Sequence, residues 1–203
     1  MREAAYPPGM SASQQQIRRW GVVICTAALS LVAFLLAVDA MISDRLPLPG
    51  SPLVGAAMIF VLAVAGAAFT VIDITEHRLP NSLMLSSFAA LLTCVLIAWS
   101  QEGDSVAVLR AAGGALGSFL AFLLLSMLRS GGMGGGDVKL AGLLGALTSW
   151  ASWESLAICF AAAFISAGVF ALGGLALRRL RANQPVAFGP FLILGAWCGL
   201  LLR

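Results

Sequence analysis

The sequence predicts an all-α, polytopic membrane protein with about seven transmembrane helices, and three observations carry that expectation. Of 203 residues, 60% are hydrophobic and 10% charged, with a mean hydropathy of +0.97; soluble domains average about 25% charged. Charge-free apolar stretches repeatedly approach or exceed the roughly 18 residues of a spanning helix. Basic residues fall mostly on alternate connections, as the positive-inside rule requires. The same composition excludes disorder, a nucleic-acid-binding surface and an ordinary cytosolic enzyme. No nucleic-acid partner is expected, and the lipid bilayer is.

In chain order, residues 1–19, with Pro7, Pro8 and Gln14–Gln16, read as a polar cytoplasmic N-terminal tail. Residues 20–203 form the transmembrane helical domain. Its apolar stretches are Trp20–Val38, Pro52–Ile72, Ser82–Trp99, Ala111–Leu128, Ser155–Leu177 and Ala182–Leu202. A further stretch, Leu140–Trp153, has 14 residues before Glu154. Val138 and Lys139 can extend it, since a lysine near a helix end reaches back to the interface; it counts as a short fifth helix. The first stretch has a competing reading as a signal peptide, with Arg18 and Arg19 before the apolar run and Val38-Asp39-Ala40 as a loose cleavage site. Its 19 residues exceed the usual apolar region of about 7–15. Cleavage there would leave six helices.

With the N-terminus in the cytoplasm, nine basic residues lie inside: Arg2, Arg18, Arg19, Arg78, Arg129, Lys139, Arg178, Arg179 and Arg181. Arg45, Arg110 and Arg203 lie outside, together with Asp39, Asp44, Glu102, Asp104 and Glu154. This predicts a multi-pass protein of the inner (plasma) membrane whose C-terminus is external. Gly113/Gly117 and Gly195/Gly199 permit close helix packing, although such pairs are expected by chance with 22 glycines. Cys25, Cys94, Cys159 and Cys198 sit in separate apolar spans without any C-x-x-C pair, and His77 is the single histidine. These patterns support neither a zinc nor a redox site. Motifs of serine hydrolases, zincins and P-loop proteins are missing from the chain. No metal and no cofactor are expected.

Asp73 and Asp137 remain. Asp73 ends the second span, and Asp137 opens the short fifth helix after a run in which five of six residues are glycine. The arginine-derived topology puts both at cytoplasmic helix ends, far apart in sequence but at one depth. Two carboxylates a few ångströms apart cannot both ionise, so they share one proton. The ionised partner can take a proton from water; the protonated one can polarise a scissile carbonyl and protonate the leaving nitrogen. The glycines can take positive φ and let another backbone approach, as an extended substrate requires. The short fifth helix is expected to begin below the membrane surface and leave a water-accessible recess. A blander reading stands beside this one. Asp137 before an apolar run is also the pattern of a helix N-cap, and Leu79-Pro80-Asn81 is also a plain turn.

Asp73-x6-Pro80-Asn81 together with Gly132-Met133-Gly134-Gly135-Gly136-Asp137-Val138-Lys139 strongly resembles the motifs of the type IV prepilin peptidases, membrane aspartic proteases of the GxGD type. Val186-Ala187-Phe188-Gly189-Pro190-Phe191 looks like that family's F-G-P element opening the last helix. The three elements occur in the family's order, and the resemblance covers about residues 50–203. It implies that Asp73 and Asp137 are the catalytic pair and that the substrates are prepilins, pseudopilins or Flp-type pilins of type IV pilus and protein secretion systems. It implies cleavage at the cytoplasmic face, just before the substrate's hydrophobic helix. Gly134 and Gly136 would shape the loop, with Lys139, Pro80 and Asn81 as further loop-shaping or substrate-binding residues; for Lys139, snorkelling at the interface is an equal explanation. Bifunctional members carry two C-x-x-C pairs in a cytoplasmic domain and also methylate the new terminus. Those pairs do not occur in this sequence, so peptidase activity alone is expected. Presenilin-like proteases share GxGD, but they carry a tyrosine before the first aspartate, where Ile72 stands here. The non-proteolytic alternatives are a proton-coupled transporter subunit and an inactive assembly scaffold.

Overall fold

The computed structural model describes residues 28, 31–40, 43, 48–76, 81–128, 134–177 and 188–202. These form seven helices and, among the described residues, no strand: α1 Leu31–Ala40, α2 Pro52–Glu76, α3 Asn81–Glu102, α4 Ser105–Leu128, α5 Gly135–Ala151, α6 Trp153–Ala176 and α7 Gly189–Leu201. Four are long and apolar enough to cross a membrane, over Pro52–Asp73, Asn81–Glu102, Ser105–Leu128 and Trp153–Ala176. The expected all-α polytopic architecture is therefore present. As described, α1, α5 and α7 are shorter than a full span. The expected N-terminal tail and the signal-peptide reading lie almost wholly outside the described residues, as do His77, Arg78, Pro80, Arg178, Arg179, Arg181 and Ala182–Ala187.

Helix α5 is the centre of the bundle. From Asp137 to Ala151 every residue except Lys139 and Ala146 is buried, and α3, α4, α6 and α7 all pack against it. Its apolar run is short because protein, not lipid, surrounds it. The outer helices reverse the soluble pattern. Leu85, Leu109, Leu116, Leu124, Ile165 and Val169 point outward, where lipid tails solvate them as well as a protein interior would. Helix α1 reaches α2 through an edge-to-face contact between Phe34 and Phe60, with ring centroids 6.0 Å apart.

Two helix starts differ from the sequence expectation. Helix α4 begins at Ser105, not Ala111, and so contains Arg110. The arginine is accommodated because its guanidinium donates to the Ser149 and Trp150 carbonyls, each at 2.6 Å, closing the C-terminus of α5. Asp104 caps α4 by accepting from the Val106 and Ala107 N–H groups at 3.0 and 3.1 Å. Helix α6 begins at Trp153 and takes Glu154 into its first turn, where the helix dipole favours an acid. Ser152, extended between α5 and α6, caps the new helix by accepting from Ser155 N–H at 3.0 Å. On the same side of the bundle, Gly50 N–H donates to Glu102 Oε2 at 2.8 Å. Gly50 has φ +96°, and a Cβ there would stand 2.8 Å from the Ala98 Cβ.

Small residues set the seams. A Cβ on Gly114 would collide with the Ser149 side chain and lie 2.7 Å from the Gly145 carbonyl oxygen; one on Gly145 would reach the Gly114 carbonyl oxygen at 2.6 Å and collide with Ser118 Oγ. These residues make α4 and α5 a backbone-to-backbone pair. In the second seam, Gly195 and Gly199 meet the Cys159 and Ser155 carbonyls of α6. The expected Gly195/Gly199 pairing is thus a packing contact. The expected Gly113/Gly117 pairing is not: a Cβ on Gly117 meets nothing within 4 Å, and one on Gly113 meets only the Trp153 ring, at 3.3 Å. The α4 seam runs one residue further along, through Gly114 and Ser118. Accordingly, Gly114→Ala should lower stability by about 1–3 kcal/mol through overpacking. Gly117→Ala should be neutral or stabilising by up to about 1 kcal/mol from helix propensity. Thermal unfolding of the two variants in detergent checks the contrast.

Candidate active site

Four helix ends meet at the side of the bundle away from Arg110 and Glu102. Helix α2 ends there, and α3, α5 and α7 begin there. The sequence-predicted residues converge on this end from positions 73, 81, 137 and 139. Asp73 and Asp137 are both buried, with 8% and 9% of their surface exposed, and they are close enough for the charge of Asp73 to act on Asp137.

Asp137 is the third residue of α5, so the N-cap reading does not hold. The N-cap is Gly134, extended and without a side-chain cap. Gly134 instead contributes its carbonyl oxygen, which accepts from the Asp137 N–H at 3.0 Å. Helix α5 therefore starts inside the glycine run, and Gly136 lies in its first turn. The positive φ expected of this segment is not found among its described glycines; Gly134 has φ −71°. The expected room is present. A Cβ on Gly135 would meet nothing within 4 Å, and one on Gly134 would come no nearer than 3.9 Å to Asp137 Oδ2. A carboxylate in the first turn of a helix is favourably placed against the dipole.

Asp73 has the opposite local environment, in the last turns of α2, where a negative charge opposes the dipole. The compensation comes from another helix: the Gly189 N–H, in the first turn of α7, donates to Asp73 Oδ2 at 3.0 Å. In the sequence Phe188-Gly189-Pro190 shows only a helix opening, because a backbone donor has no side-chain signature.

Lys139 and Asn81 are joined. The Lys139 Nζ donates to Asn81 Oδ1 at 2.7 Å, tying the first turn of α3 to that of α5. Both side chains are exposed, so the bond acts as a brace at the rim and not as part of the buried pair. Pro80 lies outside the described residues. Beneath the pair the core is apolar. A cavity of about 20 Å³, about the size of one water, is lined by Met58, Phe69, Leu140, Leu144 and Ile193 among others. Phe69 and Leu140 each stand about one turn from an aspartate, so the carboxyls interact over a low-dielectric floor. Among the described residues no three His, Cys, Asp or Glu side chains group as metal ligands would.

The brace has a measurable signature. Lys139→Ala and Asn81→Ala should be non-additive in stability, with a coupling of about 0.5 kcal/mol, the low end for a hydrogen bond because this one joins an ammonium to a neutral amide at an exposed rim. A double-mutant cycle on thermal unfolding reads it.

Comparison with known proteins follows this geometry. A model described as the type IV leader peptidase family matches residues 56–172, a stretch that contains both aspartates, Asn81 and Lys139 but ends before α7. The chain is 32% identical over 189 residues to a prepilin leader peptidase/N-methyltransferase of Aeromonas salmonicida, covering 87% of this chain and 60% of the relative. It is 31% identical over 161 residues to the protein of the same name from Pectobacterium carotovorum, covering 77% and 54%. For the Burkholderia pseudomallei relative the figures are 34% over 137 residues, 67% and 43%. The chain thus spans roughly half of these relatives' length. No solved structure matches it.

Proposed function

Because the chain belongs to the type IV leader peptidase family, we propose that it is a membrane-embedded aspartic endopeptidase. It removes the leader of prepilin-like substrates (pilins, pseudopilins or Flp-type pilins) at the cytoplasmic face of the inner membrane, with Asp73 and Asp137 as the catalytic pair. The observation that carries the proposal is the burial of two carboxyls, 64 positions apart in the chain, at one end of the bundle within electrostatic reach of each other and beside an open glycine start. The relatives' names supply the substrate class. Their N-methyltransferase activity is left with them; the proposal covers cleavage alone.

In the reaction, the two carboxyls share one proton. The ionised member removes a proton from water, and the water oxygen bonds to the scissile carbonyl carbon. The protonated member donates to the carbonyl oxygen, giving a gem-diol. Its collapse breaks the C–N bond as the nitrogen takes the proton the first carboxyl removed from water, while a gem-diol hydroxyl returns a proton to the second. The substrate backbone enters past Gly134 and Gly135, which carry no side chain of their own and, among the described residues, leave room for a further Cβ. The cytoplasmic assignment rests on the nine basic residues the topology puts on this side against three on the other.

Transport is the weaker reading. Glu102, Asp104 and Glu154 lie at the opposite end of the bundle, Asp39 stands exposed near the end of α1, and none of the four is buried on the way to the pair so as to form a pathway.

Co-expression with a cognate prepilin tests the proposal. Wild type should convert the precursor to a faster-migrating product, while Asp73→Asn and Asp137→Asn should each slow conversion by about 10²–10⁴ without loss of folded protein. Conversion at the wild-type rate in both variants would refute it.

A further inference from the structure

We propose that Gly189 is a positioning residue for this reaction: its backbone N–H orients the Asp73 carboxylate, and only a residue without a Cβ can stand at that place. The inference rests on the peptidase reading for its catalytic consequence but on geometry alone for the contact. Gly189 is buried, and its N–H lies 3.0 Å from Asp73 Oδ2. A Cβ added there would stand 2.6 Å from that oxygen, 3.2 Å from Asp73 Cγ and 3.5 Å from Asp73 Cβ. Real Cβ atoms do not approach an oxygen so closely, so any side chain at 189 displaces either the carboxylate or the helix. The donor is matched to the charge. It belongs to the first turn of a helix, where unpaired N–H groups and the dipole complement an anion. Asp73 needs that complement, because its own helix opposes it.

The donor is also held in place. Pro190 pre-sets the helical φ of the first turn. Phe188, immediately before Gly189, packs against Phe164 of α6, Phe122 of α4 and Phe191 of α7, with ring centroids 5.4, 6.1 and 6.4 Å away. The start of α7 is therefore fixed to two helices that carry neither aspartate. The Gly195 and Gly199 seam fixes the rest of α7 against α6. Asp73 takes its orientation from this frame.

The test compares wild type, Gly189→Ala, Asp73→Ala and the double variant, with Phe188→Ala and Phe188→Leu as a second series. In thermal unfolding, Gly189→Ala should lower the Tm in the wild-type background and lower it much less in the Asp73→Ala background, where the crowded carboxylate is gone. Equal losses in the two backgrounds overturn the contact. In prepilin cleavage by purified protein, Gly189→Ala should reduce kcat about 100-fold, as expected for a catalytic group misplaced by about 1 Å. KM should stay within about threefold. An unchanged kcat in folded Gly189→Ala overturns the positioning role. Should Gly189→Ala not accumulate as folded protein, the Phe188 series decides: Phe188→Ala lowers kcat about tenfold and Phe188→Leu restores most of it, whereas equal, wild-type kcat in both overturns the frame. A wild type that cleaves no prepilin removes the peptidase reading, and the unfolding cycle still decides the contact.

Discussion

In a bilayer, a leucine gains nothing by turning inward, so helices associate only where their backbones come close enough for dense contact. Two seams meet that requirement here: Gly114 with Gly145, and Gly195 with Gly199 against the carbonyls of α6. The helices they fix are α5 and α7. One carries Asp137 and the other presents the Gly189 N–H to Asp73. Gly145 is eight residues from Asp137, about 12 Å along the helix, and Gly195 is six from Gly189, about 9 Å. The site is therefore set by contacts two turns away that contain no catalytic chemistry. A methyl group inserted at either seam would move the whole helix and the functional group at its end.

Polar groups follow a second constraint, which separates the two ends of the bundle. At one end polar groups close helices and turns: Arg110 satisfies the carbonyls of α5, Asp104 caps α4, Ser152 caps α6, and Glu102 holds the Gly50 turn. Each removes an unsatisfied backbone group from an environment that would penalise it. At the other end two carboxyls are buried near helix termini, one in the first turn of α5 and one in the last turn of α2. Asp137 lies beyond the N-cap, and Asp73 is at the terminus where the dipole disfavours it. A buried carboxylate at the unfavourable end of one helix, met by an N–H from the start of another, ties the site to the packing of the bundle.

The sequence reports the helices well because absence of charge is a one-dimensional property. It fails where a charge inside a helix is neutralised from elsewhere. Arg110 and Glu154 stand outside the charge-free stretches, yet one lies within α4 and is bonded to the end of α5, and the other lies in the first turn of α6. Rotation is also hidden. A helix apolar on every face has no amphipathic stripe to say which side turns inward, so Gly113/Gly117 and the true seam at Gly114 and Ser118 look alike until the partner is known. Asp73 and Asp137 were legible because side chains of unusual type stand beside glycine and Pro-Asn signatures. The Lys139–Asn81 brace spans 58 positions and leaves no local pattern.

Gly189 is the most instructive of the hidden residues. Its contribution is an amide that every residue except proline possesses, so residue type alone does not reveal it. What distinguishes the position is the atom glycine lacks, since a Cβ would occupy the space of the Asp73 carboxylate. The candidate site is consequently a construction of three helices: α2 and α5 supply the carboxyls, and α7 supplies the donor that sets one of them. Because α7 is tied to α6 along its length and to α4 and α6 through Phe188, a displacement of that frame would reach Asp73 through the Gly189 N–H, and it would reach Asp137 as well, since α5 packs against α4, α6 and α7. The two carboxyls thus answer to one shared frame, and their spacing depends on how α2 and α5 sit against it.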